Sequence, residues 1–80
     1  MRLDKYLKVS RLIKRRTVAN EACDAGKVTV GGKPARASYD VKVGDVIEIT
    51  MGSRVLKVEV LQVVEVVKKE EAVSLYKIVE

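Results

Sequence analysis

The sequence contains no histidine and only one cysteine, Cys23. A lone thiol rules out an intramolecular disulfide, and without histidine the usual Cys/His zinc spacings cannot be assembled. Cys23 also has no imidazole base to activate it and lies among small helical residues, which suits packing better than nucleophilic attack. Long apolar runs are missing too. The longest falls far short of a membrane span, and the charges distributed over Met1 to Lys8 leave no apolar stretch for a signal peptide, so a cytoplasmic protein with no membrane partner is expected. Neither a GxGxxG nor a Walker spacing surrounds Gly31-Gly32. The Glu70-Glu71 pair follows two lysines, as in a solvated turn or helix start rather than a carboxylate dyad. With no acid/base, nucleophile or metal-ligand set left, neither an enzyme nor a cofactor is expected.

What is present is the balance of one small globular domain spanning residues 1–80: 48% hydrophobic and 34% charged residues, with five glycines and one proline. A chain of this length buries roughly 60 to 65% of the surface its unfolded form exposes, too modest a core to enclose a large substrate cavity as well. The formal net charge is +5 and is unevenly placed. Residues 1–36 hold ten cations against three carboxylates, and residues 37–80 hold six against eight. Seven of those ten cations fall between Arg2 and Arg16. Clustering of this kind points to an anionic partner, whereas even spreading would point only to solubility.

Leu3, Tyr6, Leu7 and Ile13 share one side of a helical wheel and Lys5, Lys8 and Arg11 the other, which predicts an amphipathic helix from Leu3 to Ile13, or two short ones meeting near Ser10. This places Tyr6 in the core. A second helix is expected from about Arg15 to Ala25, with Val18, Ala19, Ala22, Cys23 and Ala25 as a small-residue packing face and Gly26 as its stop. Its start has no Ser, Asp or Asn cap and carries Lys14-Arg15-Arg16 at the wrong end of the helix dipole, a conflict that something anionic must relieve. After Gly26 the two N-terminal helices are over and the period becomes that of strands. Val28-Thr29-Val30, the Gly31-Gly32 turn and Lys33-Pro34-Ala35 read as a hairpin with an edge strand. Twelve of the sixteen valines lie at or beyond Val41, which favours strands there. Val46–Met51 follows a Gly44-Asp45 turn, Arg54 to about Val64 forms a long strand after Gly52-Ser53, and Leu75–Val79 can close the sheet. The expected class is α+β: two N-terminal helices packed on a small, mostly antiparallel sheet.

Arg2, Lys5, Lys8, Arg11, Lys14, Arg15 and Arg16 form the main candidate RNA-binding group, and Lys27, Lys33 and Arg36 flank the hairpin as a second set able to help grip a bent or two-stranded RNA. Arginine forks onto phosphate oxygens. Contacts to about four to six phosphates would make binding fall with salt at a log–log slope of about −3 to −5. Tyr39 and Tyr76 lack the paired spacing of a base-stacking platform. A two-helix DNA binder is a poorer match, since no base-reading Asn/Gln pair or dimerisation surface is visible.

The ordered combination Arg2-Leu3-Asp4-Lys5-Tyr6-Leu7, Arg16 with Ala19, Gly26-Lys27-Val28-Thr29-Val30-Gly31-Gly32-Lys33 and Val43-Gly44-Asp45-Val46-Ile47 resembles the S4 RNA-binding domain family. The likeness covers about residues 1–50 as an S4-like RNA-binding core, leaving residues 51–80 as a C-terminal β extension. Lys8 to Thr17, Lys68 to Ala72 and Tyr76 are similar to small stand-alone, ribosome-associated members, those of quality control more than the heat-shock one. The resemblance implies binding to large-subunit rRNA on a dissociated large ribosomal subunit that still holds a peptidyl-tRNA. It implies support of template-independent alanine tailing, beside a separate tail-adding protein, by a monomer. It also singles out Arg2 and Arg16 as the foremost rRNA contacts, whose removal would abolish docking with little loss of stability. A general rRNA-binding or ribosome-assembly module is the alternative. Arg15 and Gly31 depart from the Ser/Thr and Asn usual in the family.

Overall fold

The computed structural model describes residues 1–79. Helix α1 spans Leu3–Val9 and α2 spans Arg16–Asp24. Five strands follow, β1 Val28–Val30, β2 Lys33–Pro34, β3 Val46–Met51, β4 Arg54–Val60 and β5 Tyr76–Ile78, with a 3-10 helix, Lys69–Leu75, just before β5. The strands form one antiparallel sheet in the order β2-β1-β3-β4-β5. Among the described residues no helix is long and apolar enough to cross a membrane.

The i, i+3, i+4 spacing of Leu3, Tyr6 and Leu7 puts all three on the sheet-facing side of α1, where none retains solvent exposure. They meet Ala19 and Cys23 of α2, Val28 of β1, Ile47 and Ile49 of β3 and Val58 and Val60 of β4 in one core. Register enforces the sidedness of the sheet, because Ile47 lies opposite Val58 and Ile49 opposite Leu56, so alternate residues enter the core together. Gly31 and Gly32 adopt φ of 61° and 84°. Two successive positive values make the mirror-image turn that matches strand twist, as the sequence implied.

Three elements refine or depart from expectation. The first helix stops at Val9, at the break near Ser10 that the sequence allowed, but no second short helix follows it before Arg16. Ser10 Oγ donates to the Leu7 carbonyl at 3.3 Å, Arg11 turns left-handed at φ 62°, and the Ile13 N–H returns to the Leu7 carbonyl at 3.1 Å. Leu12 and Ile13 therefore reach the core from a turn. The fourth strand ends at Val60, not near Val64, because the N–H groups of Leu61 and Gln62 both donate to the Leu75 carbonyl at 2.8 and 3.1 Å, pulling the chain off the sheet. The Glu70-Glu71 segment, expected as a solvated turn or helix start, takes the second form: Lys69–Leu75 is a 3-10 helix that buries Ala72 and Leu75. On α2 the packing face is narrower than expected: Ala19 and Cys23 are buried, Ala22 is half-buried, and Val18 and Ala25 are exposed.

Tyr6 ties the ends of the chain together, its hydroxyl donating to the Leu75 carbonyl at 2.7 Å. Burial pushes its phenol well above the ordinary value. Because Leu61 and Gln62 also feed that carbonyl, Tyr6→Phe orphans no acceptor. It is expected to cost only about 0.5 to 1.5 kcal/mol in a urea melt.

Candidate nucleic-acid interface

The N-terminus is fixed before any cation is placed. The Met1 ammonium contacts Asp40 Oδ1 at 2.8 Å, the Leu3 N–H donates to the Tyr39 carbonyl at 2.8 Å, and Arg2 bridges to Asp40 through the backbone. Arg2 thus leaves a clamped backbone immediately ahead of α1. Two residues on, Asp4 lies in the first turn of that helix with only 2% exposure.

A buried carboxylate requires donors, and Asp4 has them on both oxygens. The Arg2 guanidinium donates to Oδ1 through Nε at 3.1 Å and to Oδ2 through Nη2 at 3.3 Å. The Lys5 N–H reaches Oδ1 at 2.8 Å, Asn20 Nδ2 reaches Oδ2 at 3.1 Å, and Arg16 Nε lies 3.5 Å from Oδ2. Burial by itself raises the carboxyl's pKa. The bonds from Arg2, Asn20 and the Lys5 backbone, with the Arg16 charge, outweigh it and bring Asp4 down to about 2. The side chains of Arg2 and Arg16 remain 49% and 46% exposed, so each guanidinium is anchored on one edge and open on the other. They line a cavity of about 490 Å³ with Thr17 and Asn20. The compensating anion that the start of α2 called for is, in part, the chain's own Asp4.

A second group gathers around the end of α1. Lys8, Arg11 and Lys14 line a cleft of about 580 Å³ with Lys69 and Glu65. Glu65 also pairs with the Lys5 ammonium, which holds its carboxyl below the usual range. Arg15, Lys27 and Lys33 are exposed and line neither cavity, and Arg36 lines a third cavity of about 390 Å³ beside Asp24 and Pro34.

Three contributors escaped the sequence reading. Asp4 stood among the cations as a carboxylate to be subtracted, and Asn20 was passed over, although its i+4 spacing from Arg16 puts both on one face of α2. Lys69 carries no signal in the sequence beyond that of a solvated turn or helix start. Removal of Arg2 or Arg16 strips a donor or a counter-charge from a buried carboxylate, so a loss of stability is expected beside the loss of docking. Tyr39 donates to Asp45 Oδ2 at 2.9 Å and packs on the core, as Tyr76 also does. Cys23 is buried, its thiol pushed by burial up to about 11, as expected of a packing residue.

Residues 1–47 match the S4 domain family. Over 79 residues the chain is 53% identical to the RQC P-site tRNA stabilizing factor of Streptococcus pneumoniae, covering 99% of this chain and 90% of that protein. It is 54% identical over 78 residues to the protein of the same name from Halalkalibacterium halodurans, covering 98% and 89%. In three dimensions it is similar to a trimeric structure of Vibrio cholerae heat shock protein 15, with a TM-score of 0.91 and 29% identity over 99% of this chain and 81% of that one. A motif shared over more than half the chain, whole-length identity above one half and a shared fold agree, and the chain belongs to the S4 domain family.

Proposed function

We propose that this chain is an RNA-binding factor of ribosome-associated quality control. It binds stalled large ribosomal subunits carrying peptidyl-tRNA and holds the tRNA in place while a separate protein adds template-independent alanines to the nascent chain. The role is non-enzymatic, cytoplasmic and carried by a monomer. The names of its relatives support the tRNA-stabilizing part of this reading. The observation that carries it is the Asp4-anchored pair of half-exposed guanidiniums. Two forks, oriented by one buried carboxylate and open on their outer edges, suit adjacent phosphates of a folded RNA. Among the ten sequence candidates Arg2 and Arg16 are the primary contacts, with Lys5, Lys8, Arg11, Lys14 and Arg15 in support. Lys27, Lys33 and Arg36 serve as outlying charge.

Gradient sedimentation tests this. The wild-type chain is expected in large-subunit fractions, and Arg2→Ala or Arg16→Ala is expected to lose at least tenfold in occupancy at physiological salt. Each variant's log–log salt slope is expected to be shallower by about 1. Melting of the same samples separates lost contacts from lost fold. Undiminished occupancy by folded variants would reject the assignment, and a wild-type peak on small subunits or precursor RNA would favour an assembly role.

A further inference from the structure

We propose that the cleft at the end of α1 is a second phosphate-binding site, separate from the Arg2–Asp4–Arg16 cluster, and that Arg11 is its anchor. The proposal rests on the RNA-binding reading above and adds to it a second point at which the backbone of an RNA is held. The two cavities share no lining residue.

Four cations from three stretches of the chain converge on the cleft: Lys8 from α1, Arg11 and Lys14 from the turn after it, and Lys69 from the start of the 3-10 helix. Among the described residues none of the four forms an ion pair, while the carboxylate lining the cleft, Glu65, is engaged by Lys5. Like charges gathered beside a single carboxylate that another lysine already engages oppose the fold and favour an anion.

The backbone supplies an independent observation. Both helices are closed by a left-handed residue. After α2 this is Gly26, at φ 78°, whose N–H donates to the Cys23 carbonyl at 3.0 Å. After α1 it is Arg11, at φ 62°, whose N–H donates to the Lys8 carbonyl at 3.0 Å. Glycine takes this conformation freely, whereas a residue with a Cβ is strained in it. Among the described residues Arg11 is the one non-glycine residue with positive φ. The fold of this turn would be served at least as well by glycine, so the guanidinium has to be accounted for by what it does in the cleft. Strain retained beside unpaired charge is a mark of a binding position. The ligand class follows from the lining. Ammonium and guanidinium groups are present but no aromatic face, so the site holds a phosphodiester backbone without stacking or reading its bases.

The test uses the full chain with purified bulk tRNA, titrated across a salt series and melted in parallel. Arg11→Gly is expected to melt at or above the wild-type temperature, yet bind three- to tenfold more weakly, with a log–log slope shallower by about 1. Arg11→Lys, which keeps the charge, is expected to restore the slope. Lys14→Ala and Lys69→Ala, both at exposed positions, are expected to reproduce the shallower slope without touching the helix end, and they carry the test if Arg11→Gly melts low. Lys33→Ala, outside both cavities, sets the scale for loss of distant charge. Wild-type binding by Arg11→Gly, Lys14→Ala and Lys69→Ala alike, with Arg2→Ala still weakened, would overturn the second site and leave the proposed function standing. Absence of binding by the wild-type chain to both tRNA and large subunits would remove that function and this site together.

Discussion

Replacing Asp4 by Asn is expected to weaken RNA binding about five- to tenfold even though it raises the formal net charge of +5 by one. If the interface worked by charge alone, deleting a carboxylate between two arginines would strengthen it. The geometry argues the reverse. Asp4 accepts donors from Arg2, Asn20 and the Lys5 backbone with Arg16 alongside, and an amide there turns an NH2 group toward other donors. Arg2 and Arg16 then lose the anchor that orients their outer edges, and each must be ordered again on binding. A rise in affinity for Asp4→Asn would show that Asp4 merely dilutes the positive field.

The same substitution has a defined effect on stability. The Asp4 carboxyl stands at about 2 in the folded chain against an ordinary value of 3.8. A depressed value means that the stabilisation is fully present above the unfolded value and is lost as pH falls through the folded one, here between about pH 5 and pH 2. The difference corresponds to about 2 kcal/mol. Both arginines are half-exposed, so they can rehydrate once unpaired, which keeps the loss below the 3 to 5 kcal/mol typical of a fully buried pair. Near neutral pH, Asp4→Asn is therefore expected to lower the melting temperature by about 8 to 16 °C. The gap should narrow as pH drops from 5 to 2, and a gap constant across that range would contradict the ion-pair account.

What the sequence shows and what it conceals divide along the distance over which each feature is decided. Gly26 and the Gly31-Gly32 turn were legible because a positive φ is a local property with a local residue preference. The core positions of Leu3, Tyr6 and Leu7, and the alternation of Leu56, Val58 and Val60, were legible because periodicity reports burial directly. The end of α1 was legible only as one of two alternatives, a break near Ser10, since an arginine in the left-handed region gives no warning in composition. The end of β4 was hidden for another reason. It depends on the Leu75 carbonyl, which is distant in sequence and draws Leu61 and Gln62 off the sheet. Charge counting found the cations but not their arrangement, because it treats Asp4 as one negative charge rather than as the acceptor that holds two guanidiniums in place.

The split suggested by the sequence, an RNA-binding core over residues 1–50 and a β extension over 51–80, leads to the second strong prediction. Truncation after Lys68 is expected to leave the remaining chain largely unfolded at 25 °C, with no cooperative transition by circular dichroism and with loss of RNA binding. Leu75 and Ala72 are buried to within 1%, and removing Leu75 alone is comparable to a large-to-small core change of about 2 to 5 kcal/mol. The Tyr6 hydroxyl and the N–H groups of Leu61 and Gln62 lose their common acceptor, and β4 loses its β5 neighbour. A core of this size supplies only about 3 to 5 kcal/mol in total, so these losses together exceed what holds the chain folded. A cooperative melt and intact binding by the truncated chain would show that the N-terminal part stands alone. The expected collapse would make the C-terminal segment part of the apparatus that keeps Tyr6, and with it the helix bearing Asp4, in register with the sheet.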